Sequence, residues 1–239
     1  MNADLEKTLK SLKKNEFDAS YAENTESACK IILGLIPEKA VVGIGDSVTV
    51  RQIGVLDALE KRGQIVINPW AKEKPGEKSD LFAVAMKTRN SDVYLTGSNA
   101  LTMDGKIVNT DMTGNRVASM IYGIPTVILA IGRNKIVKDL DAALDRIKTV
   151  IAPQHNKTKG RPNPCAKTGK CSDCTSPYRL CRVTTIMEKR PFRTDVKVVL
   201  VDADLGLSWD PAWDKERIQR IIANYEPLTV ARPLAKPIR

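Results

Sequence analysis

The sequence predicts an α/β fold built on an open, largely parallel sheet. Three observations lead there. Short β-branched runs alternate with amphipathic helical stretches along most of the chain. One strand–glycine turn–helix–strand unit, residues 39–68, has the length of a right-handed crossover. An Asp-Gly pair, Asp104-Gly105, sits between two β-capable arms, as in a tight hairpin. At 239 residues, 42% hydrophobic and 28% charged, the chain is globular in composition and long enough to bury the core of such a sheet, so residues 1–239 are read as one domain.

Taken in order, residues 1–38 read as N-terminal helices: Leu5, Leu9 and Leu12 share one helical face, and Ala28, Ile31, Ile32, Leu35 and Ile36 another, until Pro37 ends the run. Residues 39–45 form a strand closing on glycines. Ser47 then caps a helix carrying Ile53, Leu56 and Leu59 that stops at Gly63, and 64–68 is the second strand. Residues 69–77, rich in Lys and Pro, read as a surface loop before a helix at 80–86. The next strand is 92–96, followed by the Asp-Gly hairpin as an antiparallel ribbon decorating the sheet. A helix opens at 113–116, 126–132 has the continuous apolar composition of a strand buried on both faces, and a helix covers about 138–148. Beyond a cysteine-bearing stretch come a last strand at 196–202, a last helix at 213–225, and an irregular tail at 227–239 with three prolines.

Charge and composition remove several functions. No run of about eighteen apolar residues exists, and the first residues lack the apolar core of a secretory signal, so the expectation is a cytoplasmic protein with no membrane partner. Net charge is +10, yet residues 151–193 alone hold ten basic side chains against Asp173 and Glu188. Aromatic content of 5% disfavours a stacking surface for single-stranded nucleic acid. His155 is the only histidine, which removes most imidazole-based metal sites and triads.

Chemistry concentrates in three places. Cys165, Cys171, Cys174 and Cys181 follow C-x5-C-x2-C-x6-C inside the basic insertion 151–193. Where thiols stay reduced, four so close together are ligands rather than disulfides, and the expectation is a four-thiolate metal centre, zinc or [4Fe–4S], with Lys167, Lys170, Arg179 and Arg182 offsetting its charge; four free thiols in a flexible loop, or a redox pair at Cys171 and Cys174, is the plainer reading. His155 is the alternative ligand; Cys29, among Ala28, Ile31 and Ile32, reads as a core residue. The second place is the turn from Gly43 to Arg51. Gly43 and Gly45 let backbone N–H groups approach an anion, Ser47 and Thr49 donate hydrogen bonds, and Arg51 pairs with a carboxylate or phosphate. The stretch matches neither the Walker A pattern nor a dinucleotide fingerprint, and an ordinary tight turn with Ser47 as N-cap is its plainer reading. In the third, Gly97, Asn99, Thr110, Asp111, Thr113, Gly114, Asn115 and Arg116 stand at strand ends, where open α/β sheets bind ligands, so these loops are expected to converge on one crevice. Asp111 is the only candidate catalytic base among them; its plainer role is to cap the following helix with Thr113.

The order of GIGDSVT, DVYLTGSNALTMDGKIVNTDMTGNRVASMIYG, IGRNKIVKDLDAALDRI and VKVVLVDADLGL resembles the LUD-domain, or lactate-utilization, family over about residues 5–210. The resemblance implies a three-layer Rossmann-like fold similar to the sugar-phosphate isomerase and CoA-transferase group, with a ligand crevice at the glycine turns. It also implies a role in oxidising L-lactate or a related organic acid, alongside redox partner proteins. The family's short lactate-utilization component lacks the four-cysteine segment, so the chain resembles a cysteine-bearing subgroup. The resulting expectation is a protein that binds a small anionic substrate, a carboxylate or phosphate ester. An isomerase or transferase acting on a sugar phosphate or CoA ester through Asp111 is the alternative, and a basic nucleic-acid-binding module the third reading.

Overall fold

A computed structural model of the protein describes residues 2–71 and 80–231. The chain opens with α1 (Ala3–Lys14), capped by Asn2, whose side chain accepts the Leu5 N–H at 2.9 Å. Then follow β1 (Asp18–Ala22), α2 (Thr25–Leu35), β2 (Val42–Ile44), α3 (Val48–Ile53), α4 (Val55–Lys61), β3 (Val66–Ile67), α5 (Leu81–Lys87) and β4 (Val93–Gly97). The hairpin is β5 (Ala100–Thr102) and β6 (Ile107–Asp111); α6 (Asn115–Ile121), β7 (Thr126–Gly132), β8 (Ile136–Val137) and α7 (Leu140–Arg146) come next. A π-wound turn, Ile147–Ile151, joins α7 to α8 (Ala152–Thr158), and the chain closes with α9 (Pro164–Thr168), β9 (Val183–Met187), β10 (Asp195–Val201) and α10 (Lys215–Tyr225).

Six strands in the order β1-β10-β7-β4-β2-β3 form one sheet, every pair parallel. Strand periodicity divides the core between its faces. Ile128 and Ala130 of β7, with Val199 and Val201 of β10, pack under α2, α3 and α4 through Ile32, Val50 and Leu59. Val127, Leu129 and Ile131, with Val198 and Leu200, meet α1 and α6 through Leu5, Leu12 and Met120 on the other face. Helices on both faces of a central parallel sheet give the three-layer Rossmann-like arrangement.

The structure corrects three expectations. Residues 1–38 are not all helical: β1 lies between α1 and α2 and pairs in parallel with β10 at the sheet edge. Its sequence Asp-Ala-Ser-Tyr-Ala has weak strand propensity, and pairing with β10 decides its state. The hairpin is no mere decoration. It is the middle of a second sheet, β8-β5-β6-β9, in which Ile107–Asp111 pair antiparallel with Val183–Met187. The expected insertion 151–193 shrinks at both ends accordingly, because 152–158 belong to α8 and 183–187 to β9. The loop expected at 69–77 and the tail at 227–239 fall partly outside the described residues; within them, Glu226–Leu228 is a 3-10 turn.

Candidate functional site

From β2 the chain moves outward to β3 and then back across β2 to β4, so the order of travel reverses between β2 and β4. In open α/β sheets ligands enter at that switch point, beyond the carboxyl ends of the strands. The loops there are 45–47 after β2 and 97–99 after β4, joined by 133–135 after β7 and the end of β6.

Gly45 donates its N–H to the Leu95 carbonyl at 3.0 Å, and a Cβ on it would run into the Thr96 hydroxyl and stand 2.8 Å from that of Tyr94. Ser47 caps α3 by accepting the Val50 N–H at 3.3 Å. Thr49 and Thr96 are wholly buried with hydroxyls that have no partner among the described residues, and the Asn109 side-chain NH2 group is likewise unpartnered there. Such groups cost about 1–3 kcal/mol each when left unsatisfied.

Lys135 enters from the turn after β7. Its neighbour Asn134 fixes that turn, accepting the Leu205 N–H and donating to the Ser208 carbonyl, both at 2.9 Å. The Lys135 ammonium, 7% exposed, donates to the Ser98 carbonyl at 2.5 Å. Gly206, at φ +65°, lies over it: a Cβ there would stand 3.0 Å from Nζ and closer still to the Thr49 hydroxyl. Burial, with the positive charge of Arg116 adding to it, pulls the amine down to about 7.

Two ion-pair clusters frame this group. Arg116, on α6, reaches Asp111 Oδ1 at 2.6 Å, Asn99 Oδ1 at 2.9 Å, the Gly97 carbonyl at 3.2 Å, and the Asn109 side-chain oxygen. The second Asp111 oxygen accepts the Val117 N–H at 3.0 Å, so both oxygens are engaged and the carboxylate anchors helix and guanidinium together. In the turn after β2, Asp46 pairs with Arg51 through Oδ1 at 3.1 Å and with Lys159 through Oδ2 at 2.6 Å. Burial pushes the Asp46 carboxyl up, but Lys159 and Arg51 outweigh it and hold it at about 2. Lys159 also lies 5.1 Å above the Trp70 ring.

His155, one turn before Lys159 on α8, shares a 2.5 Å hydrogen bond between Nδ1 and the Tyr225 hydroxyl. Burial, then the charge of Lys159, pushes its imidazole down to about 3. It is neutral at physiological pH. Arg161, near Asp46, keeps an unpartnered buried Nε.

The four cysteines line one cleft, with Lys148, Ala152, Asn156, Asn163, Asp173 and Arg179 also in its wall. All four are free thiols; Cys171 is exposed and the others partly buried. Asn156 donates to Cys165 Sγ at 3.4 Å. Arg179 binds the carbonyls of Cys174 and Cys181, each at 2.9 Å, and Asp173 at 2.6 Å. The Cys181 thiol is pushed up to about 11, first by burial and then by the neighbouring Cys171 sulfur. Among the described residues no group of three or more His, Cys, Asp or Glu side chains is arranged to hold a metal ion.

The structure thus brings Ser47, Thr49, Gly97, Asn99, Thr110, Asp111 and Arg116 around the strand ends. It leaves others aside. Gly43 lies inside β2 against Ser91 and the Thr88 carbonyl. Arg51 faces Asp46 rather than open space. Gly114 begins α6 without a side-chain cap, and the exposed Thr113 and Asn115 bond to each other at 2.5 Å. Thr110 bonds Thr184 of β9 at 2.9 Å. Of the basic residues at 151–193, Lys159 and Arg161 turn inward to Asp46 and Met112, whereas Arg179 and the exposed Arg182 bond locally to Asp173 and the Pro177 carbonyl. Cys29 is half-buried beside the core. Sequence reasoning passed over Lys135 and Thr96; the available signal was a polar Asn134-Lys135 pair just beyond a strand buried on both faces.

The fold and site define an open parallel α/β protein with buried cationic groups at its switch point. The chain belongs to the LUD-domain family, whose model matches residues 5–201. That membership carries, at the level of the family, a role related to lactate utilization. The chain is similar to a solved DUF162 family protein from Deinococcus radiodurans, at 12% identity and a TM-score of 0.49, over 83% of this chain and 96% of that one. No curated protein matches. Among the described residues no helix is long and apolar enough to cross a membrane.

Proposed function

We propose that the crevice binds a small organic anion, a carboxylate of the lactate class, with Lys135 as the charge that receives it. The observation behind this reading is a buried lysine that, among the described residues, has no carboxylate partner, beside hydroxyls at Thr49 and Thr96 that also lack partners there. A buried cation without a counter-ion is costly, and an entering anion relieves that cost while the hydroxyls donate to its oxygens. Arg116 adds positive potential but has its N–H groups occupied by Asp111, Asn99 and Asn109. The alternative, an isomerase or transferase handling a sugar phosphate or CoA ester with Asp111 as base, is disfavoured by the engagement of both Asp111 oxygens.

Calorimetric titration with L-lactate, a sugar phosphate and an acyl-CoA, repeated in buffers of different ionisation heat, tests the proposal. At about pH 8 the free amine is mostly neutral, so anion binding should take up close to one proton per site as its pKa rises. Equal affinity and equal proton uptake in Lys135→Met would overturn it, and preference for the phosphate or the thioester would move the substrate class to the alternative.

A further inference from the structure

The cysteine cleft takes no part in that reading. We propose that it is the site of a [4Fe–4S] cluster held by Cys165, Cys171, Cys174 and Cys181.

The donor set fits. Four thiolates are what a cubane cluster requires, and all four residues line one cleft rather than standing in separate loops. Among the described residues no three of these donors are grouped to hold a single metal ion, whereas a cluster bridges thiolates set farther apart. A single zinc ion instead draws its sulfurs to about 2.3 Å from one centre. The spacing also has one close pair, Cys171 and Cys174, flanked by longer intervals, rather than the two knuckles of a zinc ribbon.

The surroundings point the same way. Cluster sulfurs are stabilised by N–H donors and by positive charge. Asn156 already donates to Cys165 Sγ at 3.4 Å. Asn163 is 1% exposed, and its oxygen accepts from Ser176 while its Nδ2 donor has no partner among the described residues. An unpartnered buried donor in the wall of a thiol-lined cleft is a position for a sulfide or thiolate acceptor. Lys148 lies in the wall as a cation that would offset the net negative charge of a four-thiolate cluster, while Arg179, also in the wall, is paired with Asp173. Arg179 holds the backbone at Cys174 and Cys181 together before any metal arrives, which shortens the rearrangement that binding demands.

The test uses the full chain, purified without oxygen and then supplied with ferrous iron and sulfide. About four irons and four acid-labile sulfides per chain, with broad visible absorption, are expected. Cys165→Ser, Cys171→Ser, Cys174→Ser and Cys181→Ser should each lose most of that iron, while Cys29→Ser keeps it. Because all four positions lie outside the sheets, circular dichroism of each variant should match that of the parent. One equivalent of zinc without sulfide would overturn the proposal in favour of a mononuclear centre. Failure of the folded parent chain to retain iron would overturn it in favour of free thiols, as would full iron content in Cys171→Ser and Cys174→Ser.

Discussion

Around Asp46 and Arg116 the polar groups stand at the ends of buried strands, and the charges are matched to one another across long stretches of sequence. Between residues 160 and 182 the situation is reversed. There only Asn163 is buried, the one helix is five residues long, and Arg179 supplies much of the internal bonding. The first region derives its geometry from the core and holds it without a guest. The second has almost no apolar burial to hold its shape, so the energy that would fix it has to come from what it binds.

Asp46→Asn should have the largest effect, because it strands Arg51 and Lys159. Removing one member of a buried ion pair costs several kcal/mol; with Asp46 partly exposed, about 3 kcal/mol is expected from denaturant unfolding. If the two regions were energetically independent, protease sensitivity within 160–182 would not change. We expect it to rise, since Lys159 immediately precedes that segment. Conversely, replacing all four cysteines by Ser should move the stability of the metal-free protein by less than about 1 kcal/mol.

Lys135→Met comes next, with a sign set by pH. The folded amine titrates at about 7 against an ordinary 10.5, so the unfolded chain holds the extra proton between those values. Stability from this group therefore rises as pH increases through that window and is lowest below it. Lys135→Met should be the more stable protein near pH 6 by about 2 kcal/mol, with the advantage fading toward pH 10, while anion affinity drops at least tenfold. A thermal-unfolding series across pH reads both the sign and the slope.

Ser47→Ala should cost about 1 kcal/mol through the lost cap of α3, measurable by chemical denaturation. His155 offers a quieter check. As the single histidine, it gives one imidazole signal, which should stay at its neutral shift well below pH 6.5 because its folded value is about 3. As pH falls between those values the unfolded chain takes up the proton first, so this group lowers stability progressively toward acid. Titration near 6.5 would show that the His155–Tyr225 contact is open in solution.

The same contrast explains what was legible beforehand. β4, β7 and β10 announce themselves as apolar runs because both their faces are covered. β1 and β9 do not, since one is an edge strand of Asp, Ala and Ser and the other is largely exposed with basic flanks. In the crevice, Ser47 and Thr49 followed from a local strand–turn–helix pattern. Asp46 with Lys159, 113 residues apart, and Lys135 beneath Gly206 are products of tertiary packing that no local spacing encodes. Arg51, likewise, looked free in sequence because the depth at which it meets Asp46 is not a sequence property.

The π-wound turn at Ile147–Ile151 has a consequence for angle. Pro153 has no N–H to give the Thr149 carbonyl, and its ring would press on that oxygen in a regular helix; the wider turn removes the conflict. One residue more in the winding advances everything after it by about 100° around the axis. That phase sends Ala152 and Asn156 toward the thiols and His155 and Lys159 toward Tyr225 and Asp46. Deleting a single residue from 147–151 would rotate both pairs off their neighbours at once, so the setting of one turn lets a seven-residue helix and its C-cap Lys159 face both the thiol-lined cleft and the Asp46 cluster.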